Sequence, residues 1–219
     1  TIRERMGEDA AVMIARAAAC PDKDKADLIY RMIVLGLHLK DGHRITGMLG
    51  DPVMQRMFEL GRKAGNIAMR YIEIIRFQEL DSGALLAVID PEADVLALIA
   101  SHFSNRLPLE NWMIYDRRRQ KAVIHPAGKG WFLVEEVDER SVLEAEMSHE
   151  EAWYGELWKC FFKTLTIEAR VNQKLQTSLI PLKYRDFMKE FQNESLREDC
   201  EKCQNRETKQ EHGKQISQE

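Results

Sequence analysis

The spacing of apolar residues changes near residue 77, and this change limits the fold more than any other feature of the chain. Before it, apolar side chains recur every three or four residues, as in the series Leu28, Met32, Leu35 and Leu39. After it, short segments rich in β-branched and aromatic residues lie between turns. Helices followed by strands with helices beside them predict an α+β protein, with an N-terminal helical bundle followed by a small antiparallel sheet packed with helices.

The same patterns predict individual elements and their grouping. Helices are expected over 10–20, from a cap at Asp22 or Asp24 to 39, and over 53–75, 91–106, 149–170 and 182–191. Strands are expected over 77–80, 84–89, 112–115, 122–125 and 130–137. We expect a helical part over 1–76, truncated at its start because Thr1 opens inside a helical pattern. An α+β part over 77–191 should pack against it as one domain, and 192–219 should be a polar, mobile tail.

Composition restricts the partners. With 219 residues, of which 44% are hydrophobic, the chain can bury a substantial core. Its net charge of -4 argues against a general polyanion binder, but the charge is uneven. Residues 135–151 carry eight acids and one arginine, whereas 160–189 carry six basic residues and two acids. A local basic face is therefore compatible with the acidic total.

Apolar runs, the first residues and the cysteines bear on the cellular compartment in which the protein is expected. No apolar run approaches the roughly 20 residues of a membrane helix, and the first residues lack the form of a signal peptide. The spacing of the four cysteines does not resemble that of a disulfide framework, so a cytoplasmic location is expected. Cys200 and Cys203 form a CxxC without two further ligands at metal spacing, and coincidence is the favoured interpretation. No metal and no cofactor is expected.

A turn between two predicted strands carries four cations. They are Arg117, Arg118, Arg119 and Lys121. A basic hairpin tip can follow a phosphate backbone, but a charged turn also occurs simply to keep a sheet edge soluble. Asp116 precedes the arginines and could orient them or act as a base. Because Asp often bonds the local backbone in turns, the turn role is favoured.

His102 and Arg106 lie four residues apart on a predicted helix, at the border of its apolar stripe. This position predicts partial burial, in which an imidazole and a guanidinium could approach a shared anion. The alternative is a structural histidine beside a paired arginine.

Residues 167–185 alternate hydrogen-bonding side chains with apolar ones. Those singled out are Arg170, Asn172, Lys174, Gln176, Lys183 and Arg185. Such groups could hold a phosphate or a base edge. On the preceding helix, an aromatic stripe is predicted to be core; it comprises Trp153, Tyr154, Leu157, Trp158, Phe161 and Leu165.

Several short motifs together resemble one family over about residues 30–191. They include Arg76-Phe77, Ala100-Ser101-His102-Phe103, Arg106, Trp112-Met113-Ile114-Tyr115-Asp116, Leu157-Trp158-Lys159, the run from Arg170 to Gln176, and Pro181-Leu182-Lys183-Tyr184-Arg185. The chain resembles an uncharacterised bacterial family labelled as DNA metabolism proteins. Members occur alone or fused to a uracil-DNA-glycosylase-like region, and are encoded beside a radical SAM protein predicted to act in DNA modification or repair. The resemblance implies a DNA-related accessory role with a radical SAM partner.

Three functions remain open at this point. The first is an accessory protein of DNA metabolism that binds nucleic acid or a repair enzyme through the basic turn and residues 170–185. The second is an enzyme in which His102 is the acid or base and the arginines hold an anionic group; its pocket would combine Arg76, His102, Arg106, Asp116, Arg170, Asn172 and Gln176. The third is a docking module whose acidic segment, 135–151, contacts a basic protein. The sequence contains no glycine-rich phosphate loop, GxSxG elbow or HExxH, which argues against enzymes of those classes.

Overall fold

The computed structural model of the protein describes residues 1–143, 146–166, 172–185 and 188. The chain divides into two compact units, Thr1–Met147 and Ser148–Glu219. The helices of the first unit are α1 (Ile2–Met6), α2 (Glu8–Ala19), α3 (Lys25–His38), a 3-10 helix (Gly42–Gly47), α4 (Pro52–Ile74), α5 (Leu96–Arg106) and α6 (Glu139–Leu143). Its strands are β1 (Gln78–Glu79), β2 (Leu85–Ile89), β3 (Trp112–Asp116), β4 (Lys121–His125) and β5 (Phe132–Val134).

Local capping explains why the longest helix begins where it does. The Oδ1 atom of Asp51 accepts the backbone N–H groups of Val53, at 2.8 Å, and Met54, at 3.3 Å. Pro52 follows at the first helical position, where its missing N–H costs nothing. The predicted helix over 53–75 is therefore confirmed to within one residue at each end.

The helices of the N-terminal part share one apolar core. Met32, Met54, Met57 and Leu60 have almost no exposed surface there, and small residues between them let the helix axes approach. Gly42 is required by this packing, since a Cβ atom on it would clash with the carbonyl oxygen of Arg5. The expected helical bundle is present, with α1 and the 3-10 helix as additional elements that periodicity did not predict.

The sheet has the order β1-β2-β3-β4-β5. The β1–β2, β3–β4 and β4–β5 pairs are antiparallel, whereas β2 and β3 are parallel because α5 carries the chain across the sheet between them. The predicted α+β class is confirmed, and the sheet is mixed rather than purely antiparallel. Its register pairs Trp112 with His125 and Asp116 with Lys121.

Some predicted boundaries were wrong for identifiable reasons. The helix expected from Pro91 begins at Leu96, because 91–95 is held by contacts outside itself. The carbonyl oxygens of Pro91 and Glu92 accept from Arg119, and the N–H of Asp94 donates to the carbonyl of Ala19 at 2.8 Å. The strand expected over 130–137 is shorter, at Phe132–Val134.

In the second unit, the structure describes α7 (His149–Leu165), α8 (Gln173–Leu179) and α9 (Leu182–Arg185). The helix expected over 149–170 ends at Leu165, and Thr166 is not helical. Of the helix predicted over 182–191, the part beyond Arg185 lies outside the described residues except for Met188. The predicted tail, 192–219, also lies outside them.

The aromatic stripe of α7 was wrongly predicted to be core. Its six side chains are 45–62% exposed; they are Trp153, Tyr154, Leu157, Trp158, Phe161 and Leu165. Helical spacing determines that such residues share one face, but it does not determine what covers that face.

Candidate functional site

Asp116 ends β3 and organises the turn that follows. Its Oδ1 atom accepts the backbone N–H groups of Arg118 at 3.0 Å and Arg119 at 3.2 Å. Gln120 completes the turn with φ of 52°. Asp116 is fully buried. Burial raises the pKa of its carboxyl group, and the hydrogen bond from Arg119 opposes that rise. This geometry corresponds to the favoured turn role.

Arg119 joins this turn to the segment before α5. Its Nη1 atom donates to the Oδ2 atom of Asp116 and to the carbonyl oxygen of Pro91, both at 2.9 Å. Its Nη2 atom donates to the carbonyl oxygen of Glu92 at 2.7 Å. Both terminal nitrogens of the Arg119 guanidinium group therefore donate hydrogen bonds inside the protein.

The other three cations of the turn face carboxylates. Arg117 Nε lies 2.6 Å from Glu139 Oε1, Arg118 Nε lies 2.7 Å from Asp90 Oδ1, and Lys121 Nζ lies 2.8 Å from Glu135 Oε1. The hydrogen bond from Lys121 lowers the pKa of Glu135. A polyanion approaching this turn would have to compete with these carboxylates.

These pairs also use part of the acidic segment. Glu135 and Glu139 belong to it, and both bind cations of the hairpin turn. Glu150 and Glu151 lie in the first turn of α7, where the helix dipole favours acidic side chains. Local contacts thus account for several of the acids in 135–151.

His102 and Arg106 occupy the open side of α5. The buried face of α5 is centred between Ala100 and Phe103. At ~100° of rotation about the helix axis per residue, His102 lies about 110° from that centre and Arg106 about 70°. Both side chains are exposed, so the predicted partial burial was wrong. Neither makes a hydrogen bond or an ion pair with a residue that the structure describes. The His102 ring contacts Phe103 edge-on, at 5.1 Å between centroids.

A cluster of rings lies beneath this side of α5. Phe77 contacts Phe103 at 5.3 Å and Trp112 at 6.1 Å between centroids. Arg76 directly precedes Phe77, and His102 directly precedes Phe103. Because the two rings are in contact, Arg76 lies in the same region as α5. The Arg76 Nη1 atom faces carbonyl oxygens at the end of α4, at 3.4–3.5 Å.

His125 is a buried polar residue that sequence reasoning missed. Its ring stacks on Trp112 with centroids 4.9 Å apart and planes 5° apart, and its Nδ1 atom lies 3.0 Å from the carbonyl oxygen of Glu110. Only the cross-strand register of β3 and β4 brings the two rings together. The signal for this contact is thus a pairing between strands and not a sequence motif.

His102 and Asp116, the two candidate catalytic residues, lie near opposite ends of β3. Asp116 and Trp112 lie at opposite ends of β3, roughly 13 Å apart at about 3.3 Å per residue. His102 borders the aromatic cluster at the Trp112 end, and Asp116 is enclosed by its turn at the other. The structure therefore does not bring His102 and Asp116 together as an acid and a base.

The predicted binding residues of the second unit have local roles. Asn172 caps α8, since its Oδ1 atom accepts the N–H of Leu175 at 3.0 Å. The Arg185 Nε atom donates to the carbonyl oxygen of Ile180 at 3.2 Å, where α8 has ended. Lys174 is exposed, Gln176 is half-buried, and the Lys183 ammonium lies 5.1 Å from the centroid of the Tyr184 ring. Arg170 lies outside the described residues.

The described residues contain neither a cluster of metal-binding side chains nor a helix of the membrane-spanning kind. No cluster of three or more His, Cys, Asp or Glu side chains suitable for a metal ion occurs there. None of the described helices is long and apolar enough to cross a membrane. Cys200 and Cys203 lie outside the described residues.

Comparison with known proteins identifies the family of the chain. No curated protein and no solved structure matches the chain. A family model, described as a domain of unknown function, matches residues 23–190, which include the hairpin turn, α5 and the described residues of α7, α8 and α9. The chain therefore belongs to the DUF4130 family.

Proposed function

We propose that the protein is a cytoplasmic accessory factor of DNA metabolism or repair that binds nucleic acid and acts with a radical SAM protein. The DNA-related role and the partner rest on the family resemblance of its motifs, whose members also occur fused to a uracil-DNA-glycosylase-like region. The location of the binding surface rests on geometry. We place it on the open side of α5, at His102 and Arg106, next to Arg76.

One observation favours this surface over the hairpin turn. His102 and Arg106 are exposed and have no hydrogen-bond or ion-pair partner among the described residues. Arg117, Arg118 and Lys121 instead lie 2.6–2.8 Å from carboxylates. A cation without a carboxylate partner can bind phosphate without first losing an ion pair.

The surface also predicts how binding should behave. Few cations contribute, so the affinity should be moderate. The logarithm of the association constant should fall linearly with the logarithm of the salt concentration, with a slope of about 0.9 per phosphate contact. Phe103 and Trp112 are buried, which leaves little aromatic surface for base stacking. We therefore expect binding that depends weakly on sequence.

The test is fluorescence anisotropy with labelled single- and double-stranded oligonucleotides across a salt series. Arg106→Gln should weaken binding and reduce the salt slope by about one contact. Arg117→Gln is the matched control, because it removes the same charge from a paired position and should leave affinity nearly unchanged. Loss of binding in Arg117→Gln alone, or salt-independent binding of the wild type, would contradict the proposal.

The partner is tested separately. The protein should co-purify with the radical SAM protein encoded beside its gene after nuclease treatment. Failure to form that complex would remove the partner from the proposal and leave the DNA-binding surface to stand on its own test.

A further inference from the structure

A groove lies between α2 and α4, away from the surface on α5. Its cavity volume is about 470 Å³, within the range usual for small-molecule sites. Gly61 and Gly65 of α4 form its floor, where the absence of side chains leaves the space open. A Cβ atom on either glycine would project toward Arg16 of α2, at 3.9 Å.

Two arginines line this groove. They are Arg16 and Arg62, both exposed, and neither has a hydrogen bond or an ion pair with the residues that the structure describes. The Nη1 atom of Arg16 lies over Gly65, one helical turn from Arg62, so both guanidinium groups can approach one anion. Asp9 also lines the groove and forms no ion pair with either arginine among the described contacts.

Other basic residues of α4, unlike Arg62, form ion pairs with acidic side chains. Lys63 Nζ lies 2.7 Å from Asp22 Oδ2, and Arg56 Nη2 lies 3.2 Å from Asp22 Oδ1. These two cations are neutralised on another face of the same helix. Among the basic residues of α4, Arg62 has no acid partner in the described part of the chain, and it lines the groove.

Apolar and amide side chains complete the lining. Phe58, Met69 and Val12 are 48%, 57% and 38% exposed along the groove, so a ligand could cover them. Asn66 lies one turn from Arg62 and offers both a donor and an acceptor.

We propose that this groove binds a small molecule carrying a phosphate on a flat ring system, as a nucleoside monophosphate does. Arg16 and Arg62 hold the phosphate, Phe58 stacks against the ring, and Asn66 bonds a ring edge. The site does not depend on the proposed DNA-binding surface, because it uses different helices and different cations.

The test is isothermal titration calorimetry of the full chain with deoxyadenosine monophosphate. We expect saturable binding, and Arg16→Gln and Arg62→Gln should each weaken it by about tenfold, the usual effect of losing one charged hydrogen-bonding group. Lys63→Gln is the control, because Lys63 neighbours Arg62 but is paired with Asp22. Its affinity for the nucleotide should stay within about twofold of the wild-type value. Amide resonances of Val12 and Phe58 should shift during the titration.

Two control ligands separate the contribution of the phosphate group from that of the nucleoside. Inorganic phosphate and deoxyadenosine should each bind more weakly than the complete nucleotide. Equal affinity for inorganic phosphate, unchanged affinity in both arginine variants, or no heat at millimolar nucleotide would each overturn the proposal. Thermal melts confirm that every variant is folded before titration.

Discussion

Arg119 and Asp116 form an ion pair in which the carboxylate side chain has no exposed surface and the arginine side chain keeps 21% of its own. The same guanidinium group also donates to the carbonyl oxygens of Pro91 and Glu92. One side chain thus connects the β3–β4 turn to the segment that leads into α5. The most basic stretch of the sequence therefore contributes to the architecture.

Replacement of Arg119 by Ala should destabilise the fold by about 2–3 kcal/mol. A buried carboxylate without its partner remains desolvated, and the partial exposure of Arg119 places the value below that of a fully buried pair. Urea unfolding measures the change. Arg117→Ala is the control, because its pair with Glu139 is more exposed than the Arg119–Asp116 pair and its loss should cost about 0.5 kcal/mol. Equal losses in both variants would contradict the structural role of Arg119.

Tyr115→Phe should be neutral or stabilising by up to about 1 kcal/mol. The Tyr115 hydroxyl is buried and has no hydrogen-bond partner among the described residues. Burial raises the pKa of Tyr115, and the nearby Glu139 and Asp138 carboxylates add to the rise. Removing an unsatisfied hydroxyl relieves its desolvation cost. A loss above about 1 kcal/mol in urea unfolding would instead indicate that the hydroxyl is hydrogen-bonded in solution.

Gly65→Ala should raise the free energy of unfolding by about 0.5–1 kcal/mol. Gly65 lies inside α4, where alanine is the better helix former, and the added Cβ would meet Arg16 at an ordinary contact distance of 3.9 Å. Gly42→Ala provides the contrast, because its Cβ would clash with the carbonyl oxygen of Arg5. Thermal melts should shift upward for the first and steeply downward for the second.

Asp22 should contribute a pH-dependent part of the stability. The hydrogen bond from Lys63 holds its pKa below the ordinary value, with a further contribution from Arg56. A carboxylate with a lowered folded pKa stabilises the fold above its unfolded pKa of about 4, and this contribution is lost as pH falls through the folded pKa.

Asp22→Asn should therefore reduce the loss of stability on acidification below about pH 4. Urea midpoints at pH 7, 4 and 3 measure this difference between variant and wild type. Asp27→Asn is a suitable control, because its pair with Arg31 is exposed on both sides. An acid profile for Asp22→Asn identical to that of the wild type would show that the Lys63 contact does not persist in solution.

The sequence by itself determined the α+β class, most helices of the N-terminal bundle and the β1–β2 and β3–β4 hairpins. These follow from local chemistry: apolar spacing sets a helix face, and caps such as Asp51 set where a helix begins. The turn role of Asp116 was also accessible, since within the described part of the chain its hydrogen bonds reach Arg118 and Arg119, two and three residues later.

Tertiary structure decided which cations are paired and which are open. Arg118 and Asp90 are 28 residues apart, and Arg117 and Glu139 are 22 apart, so no local pattern revealed these contacts. The groove containing Arg16 likewise exists only because two helices distant in sequence pack together. Charge neutralisation depends on distance in space, and that distance is known only once the chain has folded.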